Sequence, residues 1–287
     1  MRTTAADGVL LVDKPAGITS HDVVAAARRA LGERRIGHGG TLDPFATGLL
    51  VLLVGRATRL LPFLDGEPKV YDAVIRFGAE TDTDDVTGEV TRTAPPPARD
   101  AVERALRSLT GRLEQRPPAF SAKHVDGRRA YAAARQGEPL PLPPVPVTVH
   151  AWTVRSWDGD DLHATVSCGA GTYIRALARD LGLAVGSAAH LAALRRVRSG
   201  PFDVASAAPL DAVRAGECTL LPPRAAVGSL PVQPLDEEGL ARVSHGRSVP
   251  AAVPGDRAAL VDAAGALVAV AARANEAWLP RVVLRDG

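Results

Sequence analysis

Six consecutive apolar residues, Leu49 to Val54, follow closely on Gly37-His38-Gly39-Gly40-Thr41-Leu42-Asp43-Pro44 and Ala46-Thr47-Gly48. An apolar run of strand length without polar alternation reads as a strand buried on both faces. In the segment before it, Pro44 biases Asp43 toward extended backbone. Gly37, Gly39, Gly40 and Gly48 let a bulky ligand approach the main chain closely. The expected result is a rigid, accessible carboxylate held between a turn and a buried strand. The same pattern equally suits an aspartate that only organises a turn.

The flanking elements read as an alternation of strands and helices. Val9 to Val12 predicts a short buried strand. Ser20 is placed to cap a helix carrying Val23, Val24, Ala27, Ala30 and Leu31 at helical spacing, which Gly32 ends. A short helix is expected around Arg56 to Leu64, kinked or ended by Pro62. From Val70 to Phe77 the pattern alternates, with Tyr71, Ala73, Ile75 and Phe77 on one face. The polar loop Thr81-Asp82-Thr83-Asp84-Asp85 resembles an oxygen-ligand cation site only weakly, because EF-hand spacing and the terminal glutamate are missing.

A further helix is marked by Ala98 to Leu109 and ends at Gly111. An irregular, proline-bounded stretch from Gln115 to Pro146 follows, and insertions of this kind are commonly functional. Val145 to Val154 and Leu162 to Cys168 read as an antiparallel pair. Gly169-Ala170-Gly171-Thr172 then launches a helix with Ile174, Leu177, Ala178 and Leu181 on its core stripe, and Tyr173 and Arg175 off it. An arginine at a helix N-terminus opposes the macrodipole, so Arg175 requires an acidic partner if it is more than a solvated side chain. Beyond a linker with Pro222, Pro223, Gly228 and Pro231, three short β runs predict a small second domain from about residue 228.

Composition narrows the function. The 287 residues are 46% hydrophobic but contain no membrane-length apolar run, and no signal-peptide pattern opens the chain. A soluble cytoplasmic protein without membrane contact is expected. Cys168 and Cys218 fit neither a disulfide framework nor metal-ligand spacing, so no structural metal and no redox chemistry are expected. Only Lys14, Lys69 and Lys123 are lysine, against 31 arginines. Each lysine therefore marks a place where arginine does not substitute. Arg28, Arg29, Arg34 and Arg35, and later Arg195, Arg196 and Arg198, form clusters suited to phosphates or to solvated helix ends.

Six motifs occur in order: Lys14-Pro15-x-Gly17-x-Thr19-Ser20, the Gly37 to Gly48 segment, Lys69-x-Tyr71, Thr81-Asp82-Thr83-x-Asp85, Pro117-Pro118-x-x-Ser121-Ala122-Lys123 and Gly171-Thr172-Tyr173-Ile174-Arg175. Together, over about residues 8 to 215, they resemble the bacterial tRNA pseudouridine-55 synthase family. The resemblance implies an α+β pseudouridine synthase fold: a mixed, mostly antiparallel central sheet flanked by helices, with a small C-terminal β-rich PUA-like domain. The implied boundaries are a catalytic domain over 1–227, with a thumb-like insertion at about 115–146, and an RNA-binding domain over 228–287.

The resemblance also implies roles. Asp43 would be the catalytic carboxylate, attacking the ribose at C1′ or removing a ribose proton to give a glycal. Tyr71 would stack on the extracted base and help remove the C5 proton. Arg175 would pair with Asp43 and keep it ionised, with Asp85 as a second acidic partner. Lys14, His38, Tyr173 and Leu194 match pocket positions. Arg28, Arg29, Arg34, Arg35, Lys123, Arg195 and Arg196 are the expected RNA-backbone contacts. The implied partner is the T-arm stem-loop of tRNA, bound by a monomer that extrudes the target uridine. Gly39 departs from the threonine found in many members. Two other readings compete: a tRNA-folding chaperone in which binding matters more than modification, and an aspartate-based glycoside hydrolase, which lacks a second carboxylate in an acid role.

Overall fold

The computed structural model describes residues 7–121, 124–125, 128–129 and 140–285. In chain order come β1 (Gly8–Lys14), α1 (Ser20–Leu31), β2 (Ile36–His38), β3 (Thr47–Val54), a 3-10 helix (Gly55–Phe63), β4 (Lys69–Phe77), α2 (Arg99–Ser108) and β5 (Gly111–Gln115). The chain continues through β6 (Val145–Asp158), β7 (Asp161–Cys168), α3 (Ile174–Ala184), β8 (Ala189–Ser199), β9 (Ala208–Pro209) and α4 (Leu210–Ala215). The C-terminal part holds β10 (Val232–Pro234), α5 (Glu237–Ser244), β11 (Val249–Pro250), β12 (Arg257–Val261), β13 (Leu267–Ala274) and β14 (Ala277–Val283). Two compact units emerge: residues 1–44, 49–65 and 202–287 form one, and residues 45–48 and 66–201 the other.

In the first unit the strand order is β9-β1-β3, with β2 antiparallel on β3. Both faces of β3 are buried, as its unbroken apolar run requires. Leu49, Val51 and Leu53 pack with Val9, Leu11 and Leu60. Leu50 and Leu52 pack with Val23, Val24 and Ala27 of α1 and Leu210 and Val213 of α4. The cap of α1 is Thr19 rather than the expected Ser20. Thr19 Oγ1 accepts the Asp22 amide at 3.1 Å, and the Asp22 carboxylate accepts the Thr19 amide at 2.9 Å, a reciprocal capping box. Ser20 is thereby released for another task. Around Pro62 the chain forms a 3-10 helix, whose short hydrogen-bond spacing tolerates the missing amide near its end.

The C-terminal strands form a sheet of order β10-β12-β13-β14-β11. One side of it packs around the fully buried Trp278 together with Val243 of α5. Ala259, Leu267, Val270 and Val282 instead join the cluster that covers Val9 and Leu49.

In the second unit the start of β3, then β8, β4, β7, β6 and β5, lie side by side. β8 is parallel to β3 and antiparallel to β4, and the remaining pairs are antiparallel. This is the mixed, mostly antiparallel α+β architecture expected. Helix α3 buries Ile174, Leu177, Ala178 and Leu181. Strand β6 runs four residues beyond the expected end at Val154, because its pairing with β7 persists through a bulge to Asp158↔Asp161.

Candidate active site

Asp43 sits between two residues fixed from below. Leu42, buried, donates its amide to Ser20 Oγ at 2.9 Å and accepts the Ser20 hydroxyl at 3.2 Å. The Pro44 carbonyl accepts the Gly17 amide at 2.8 Å and the Lys14 ammonium at 3.3 Å. Lys14 is fully buried, and its Nζ also reaches the carbonyls of Pro15 at 2.9 Å and Ile18 at 2.7 Å. Three convergent carbonyls suit a compact ammonium and not a planar guanidinium, which accounts for a lysine in an arginine-rich chain. The loop is therefore anchored through its backbone on both sides of Asp43, whose own residue stays half-buried.

His38 lies on β2, with its ring edge-on to His21 at 5.6 Å between centroids. The Gly39 amide donates to the Val51 carbonyl, which brings the loop backbone onto β3. A Cβ at Gly39 would fall 2.1 Å from Leu64 Cδ2, so glycine here makes room for that side chain.

Four residues after Asp43, strand β3 begins, and its first residues are placed by β8. Gly48 pairs with Arg196, which in turn pairs with Tyr71 on β4. Gly48 has φ of 100°, and a Cβ there would stand 2.3 Å from the Arg196 carbonyl oxygen. Only glycine fits this approach. The row Gly48–Arg196–Tyr71 places the start of β3 two strands from Tyr71, roughly 10 Å at ordinary strand spacing. Tyr71 is buried on the face expected from its alternation, as is Leu194 on β8.

Arg175 occupies the first turn of α3 but is only 4% exposed, not turned out to solvent. Its expected acidic partner includes Asp85, with Nη1 3.4 Å from Oδ2. The same guanidinium donates to the carbonyls of Thr83 at 2.8 Å and Phe120 at 2.9 Å. Asp85 is held in turn by the hydroxyls of Thr83 and Thr87 and by the Thr87 amide. These contacts satisfy the Asp85 carboxylate within the acidic loop, and among the described residues no His/Cys/Asp/Glu group is arranged to hold a metal.

Tyr173 precedes α3, and its backbone is clamped by Gln115 in both directions: the Tyr173 amide donates to Oε1 at 2.8 Å, and Nε2 donates to the Tyr173 carbonyl at 3.1 Å. Gln115 and Ser20 are site-building residues that sequence reasoning missed. The available signal was a glutamine standing directly before Arg116-Pro117-Pro118.

Arg28, Arg29, Arg34 and Arg35 are exposed, and Arg195 is partly so. Arg196 is a correction. Its alternation on β8 turns it inward to 1% exposure, not to the exposed surface that a backbone contact was expected to occupy. Lys123 lies outside the described residues.

Residues 28–174 match the model of the TruB family pseudouridylate synthase N-terminal domain, and residues 175–218 that of the tRNA pseudouridylate synthase B C-terminal domain. The tRNA pseudouridine synthase B of Thermobifida fusca is 51% identical over 255 residues, 85% of this chain and 87% of that protein. The chain belongs to the TruB family. The family's enzyme from Paenarthrobacter aurescens is 48% identical over 86% of this chain and 82% of that protein. Among solved structures, chains of a Cbf5-Nop10-Gar1 complex and of the archaeal box H/ACA sRNP Nop10-Cbf5 complex cover 97% of this chain at 27% identity, with TM-scores of 0.73 and 0.72. They cover 85% and 86% of those chains, respectively. As a TruB-family pseudouridine synthase this is an RNA-modifying isomerase, and among its described residues no helix is long and apolar enough to cross a membrane.

Proposed function

We propose that this enzyme isomerises uridine 55 in the T loop of tRNAs to pseudouridine, with the Asp43 carboxylate acting on the ribose of an extruded uridine. The observation that carries the reading is the double anchoring of Leu42 and Pro44 by Ser20, Gly17 and Lys14, which fixes a carboxylate on a rigid loop. Preorganised groups of this kind avoid reorganisation during the reaction. The reaction is self-balanced: the N1–C1′ bond breaks, C5–C1′ forms, C5 loses a proton and N1 gains one. It needs no external oxidant, reductant or cofactor.

In this reading Tyr71 stacks on the displaced base and assists loss of the C5 proton. Arg175, backed by Asp85, supplies the cation that keeps Asp43 ionised. Lys14, His38, Tyr173 and Leu194 shape the pocket. Arg28, Arg29, Arg34, Arg35, Arg195 and Lys123 bind RNA phosphates, which offsets the cost of extruding the base, roughly a few kcal/mol. Residues 228–287 serve as an additional small RNA-binding domain.

The test is chemical mapping of pseudouridine in a T-arm stem-loop incubated with the wild type and with Asp43→Asn. The wild type should modify position 55 alone. The variant should lose turnover by more than about a hundredfold while its RNA affinity stays within a few fold. Modification at another uridine refutes the assigned site. Residual turnover above about one per cent removes Asp43 from its role.

A further inference from the structure

One helical turn beyond Arg175 on α3, Arg179 forms a second set of contacts that none of the family motifs includes. Its Nη1 lies 2.8 Å from Asp84 Oδ2, its Nη2 donates to the Arg116 carbonyl at 2.8 Å, and it also meets Asp180 at 2.9 Å. The two arginines thus grip the same two segments in parallel. Arg175 takes Thr83, Asp85 and Phe120, and Arg179 takes Asp84 and Arg116.

Asp84 is one of two non-glycine residues among those described with positive φ, at 60°. Its backbone is held on both sides, with the amide donating to the Thr81 carbonyl at 3.2 Å and the carbonyl accepting the Leu191 amide at 3.0 Å. A left-handed residue immediately before Asp85 determines the direction in which the next side chain leaves the backbone. An aspartate tolerates that conformation better than most residues, yet it still needs support from its surroundings.

We propose that Arg179 is a positioning residue: through Asp84 it locks the turn that aims Asp85 at Arg175, and through Arg116 it ties that turn to the start of the proline-bounded insertion. The inference rests on the reading in which Arg175 and Asp85 serve Asp43. It adds two residues to the reaction that touch neither the ribose nor the base.

The clamp carries its own pH signature. The charged groups that act on Asp84 are Arg179, Arg175 and Asp180 on α3, and Asp82 and Asp85 flank it in sequence. Arg116 shares with Asp82, Asp84 and Arg179 the lining of a cavity of about 560 Å³. Burial raises the Asp84 carboxyl to about 6, against the lowering influence of Arg179 and Arg175. Acidification through that value neutralises Asp84 and releases Arg179. A carboxyl raised in the folded state contributes stability below 3.8 that is lost as pH rises through about 6. For this group, acidification therefore favours folding while it weakens the clamp, so titration of Asp84 alone does not unfold the chain near pH 6.

The test is single-turnover pseudouridine formation on a T-arm stem-loop from pH 5 to 8.5, with RNA affinity and melting temperature measured alongside, for Arg179→Ala, Asp84→Asn, their double variant and Arg179→Lys. We expect each single variant to slow the reaction about tenfold at pH 7.5 with affinity within about threefold, and the double variant to be no slower than either. Arg179→Lys should recover part of the rate. The wild-type fall below pH 6 should vanish in Asp84→Asn. Multiplying single effects, unchanged rates in folded variants, or an acid limb that persists in Asp84→Asn would each overturn the clamp. If Asp43→Asn is inactive and Arg179→Ala is normal, only the clamp fails. If Asp43→Asn stays active, the underlying reading fails.

Discussion

Replacing Gly48 by alanine tests whether the close approach of β3 and β8 positions the Asp43 loop. The new Cβ would stand 2.3 Å from the Arg196 carbonyl oxygen and 2.8 Å from its amide nitrogen, both backbone atoms that cannot rotate away. Restoring a tolerable separation of about 3.0 Å requires the strands to part by roughly 0.7 Å. The left-handed backbone at φ 100° adds about 1–2 kcal/mol for an alanine. Weakening the short parallel ladder at Thr47 and Gly48 adds about another 1–2 kcal/mol. The sum, about 3 kcal/mol, corresponds to a fall in melting temperature of roughly 6–12 °C for a chain of this size.

Under the proposed role of Asp43, the same shift at the end of its loop lowers turnover, since misplacement on the order of 1 Å costs about a hundredfold. Gly111→Ala is the matched control. Its φ is 98°, but nothing lies within 4 Å of the new Cβ, so only the conformational cost remains. Thermal unfolding followed by circular dichroism, with single-turnover kinetics on the T-arm stem-loop, separates the two variants. If Gly48→Ala melts within about 2 °C of Gly111→Ala and keeps turnover within about threefold, the close approach is not what positions the loop.

Other outcomes follow from the same geometry. Ser20→Ala strips the buried Leu42 amide and carbonyl of their shared partner, which should cost about 1–3 kcal/mol in denaturant unfolding and lower kcat more than RNA affinity. Lys14→Arg should fail to replace the wild type, with a melting temperature no higher than that of Lys14→Met, because a guanidinium does not fit among three carbonyls around a fully buried site. Burial raises the Cys168 thiol to about 11, so alkylation at pH 8 followed by mass spectrometry should label the half-buried Cys218 first and Cys168 only on unfolding. The stability contributed by the neutral Cys168 thiol is complete below 9.0 and is lost as pH rises through about 11, a dependence that Cys168→Ala should remove from the melting curve.

Much of the fold was legible because local chemistry decided it. The two-sided burial of Leu49 to Val54 and the alternation of Val70 to Phe77 each follow from side-chain period alone. The Asp43 segment stood out too, as a carboxylate between glycines and a proline in a motif-bearing segment, although the same residues suited a plain turn. The capping of α1 was misread because Ser20 and Thr19 are equivalent as cap formers, and only Asp22, three residues after Thr19, completes a box. The inward turn of Arg196 was missed because an arginine reads as surface until the pairing register is known.

The sequence by itself determined the strands β1, β3, β4 and β7 and the helices α1, α2 and α3, which carboxylate sits on a glycine-rich loop, and the family to which six ordered motifs point. All of these depend on residues near one another along the chain. Only the tertiary structure decided what holds the loop and what faces Arg175. Ser20 meets Leu42 across 22 positions, Gly48 meets Arg196, and Arg175 meets Asp85 through strand register and helix placement. Such contacts carry no local periodicity, so they become visible only when packing has chosen one register among many.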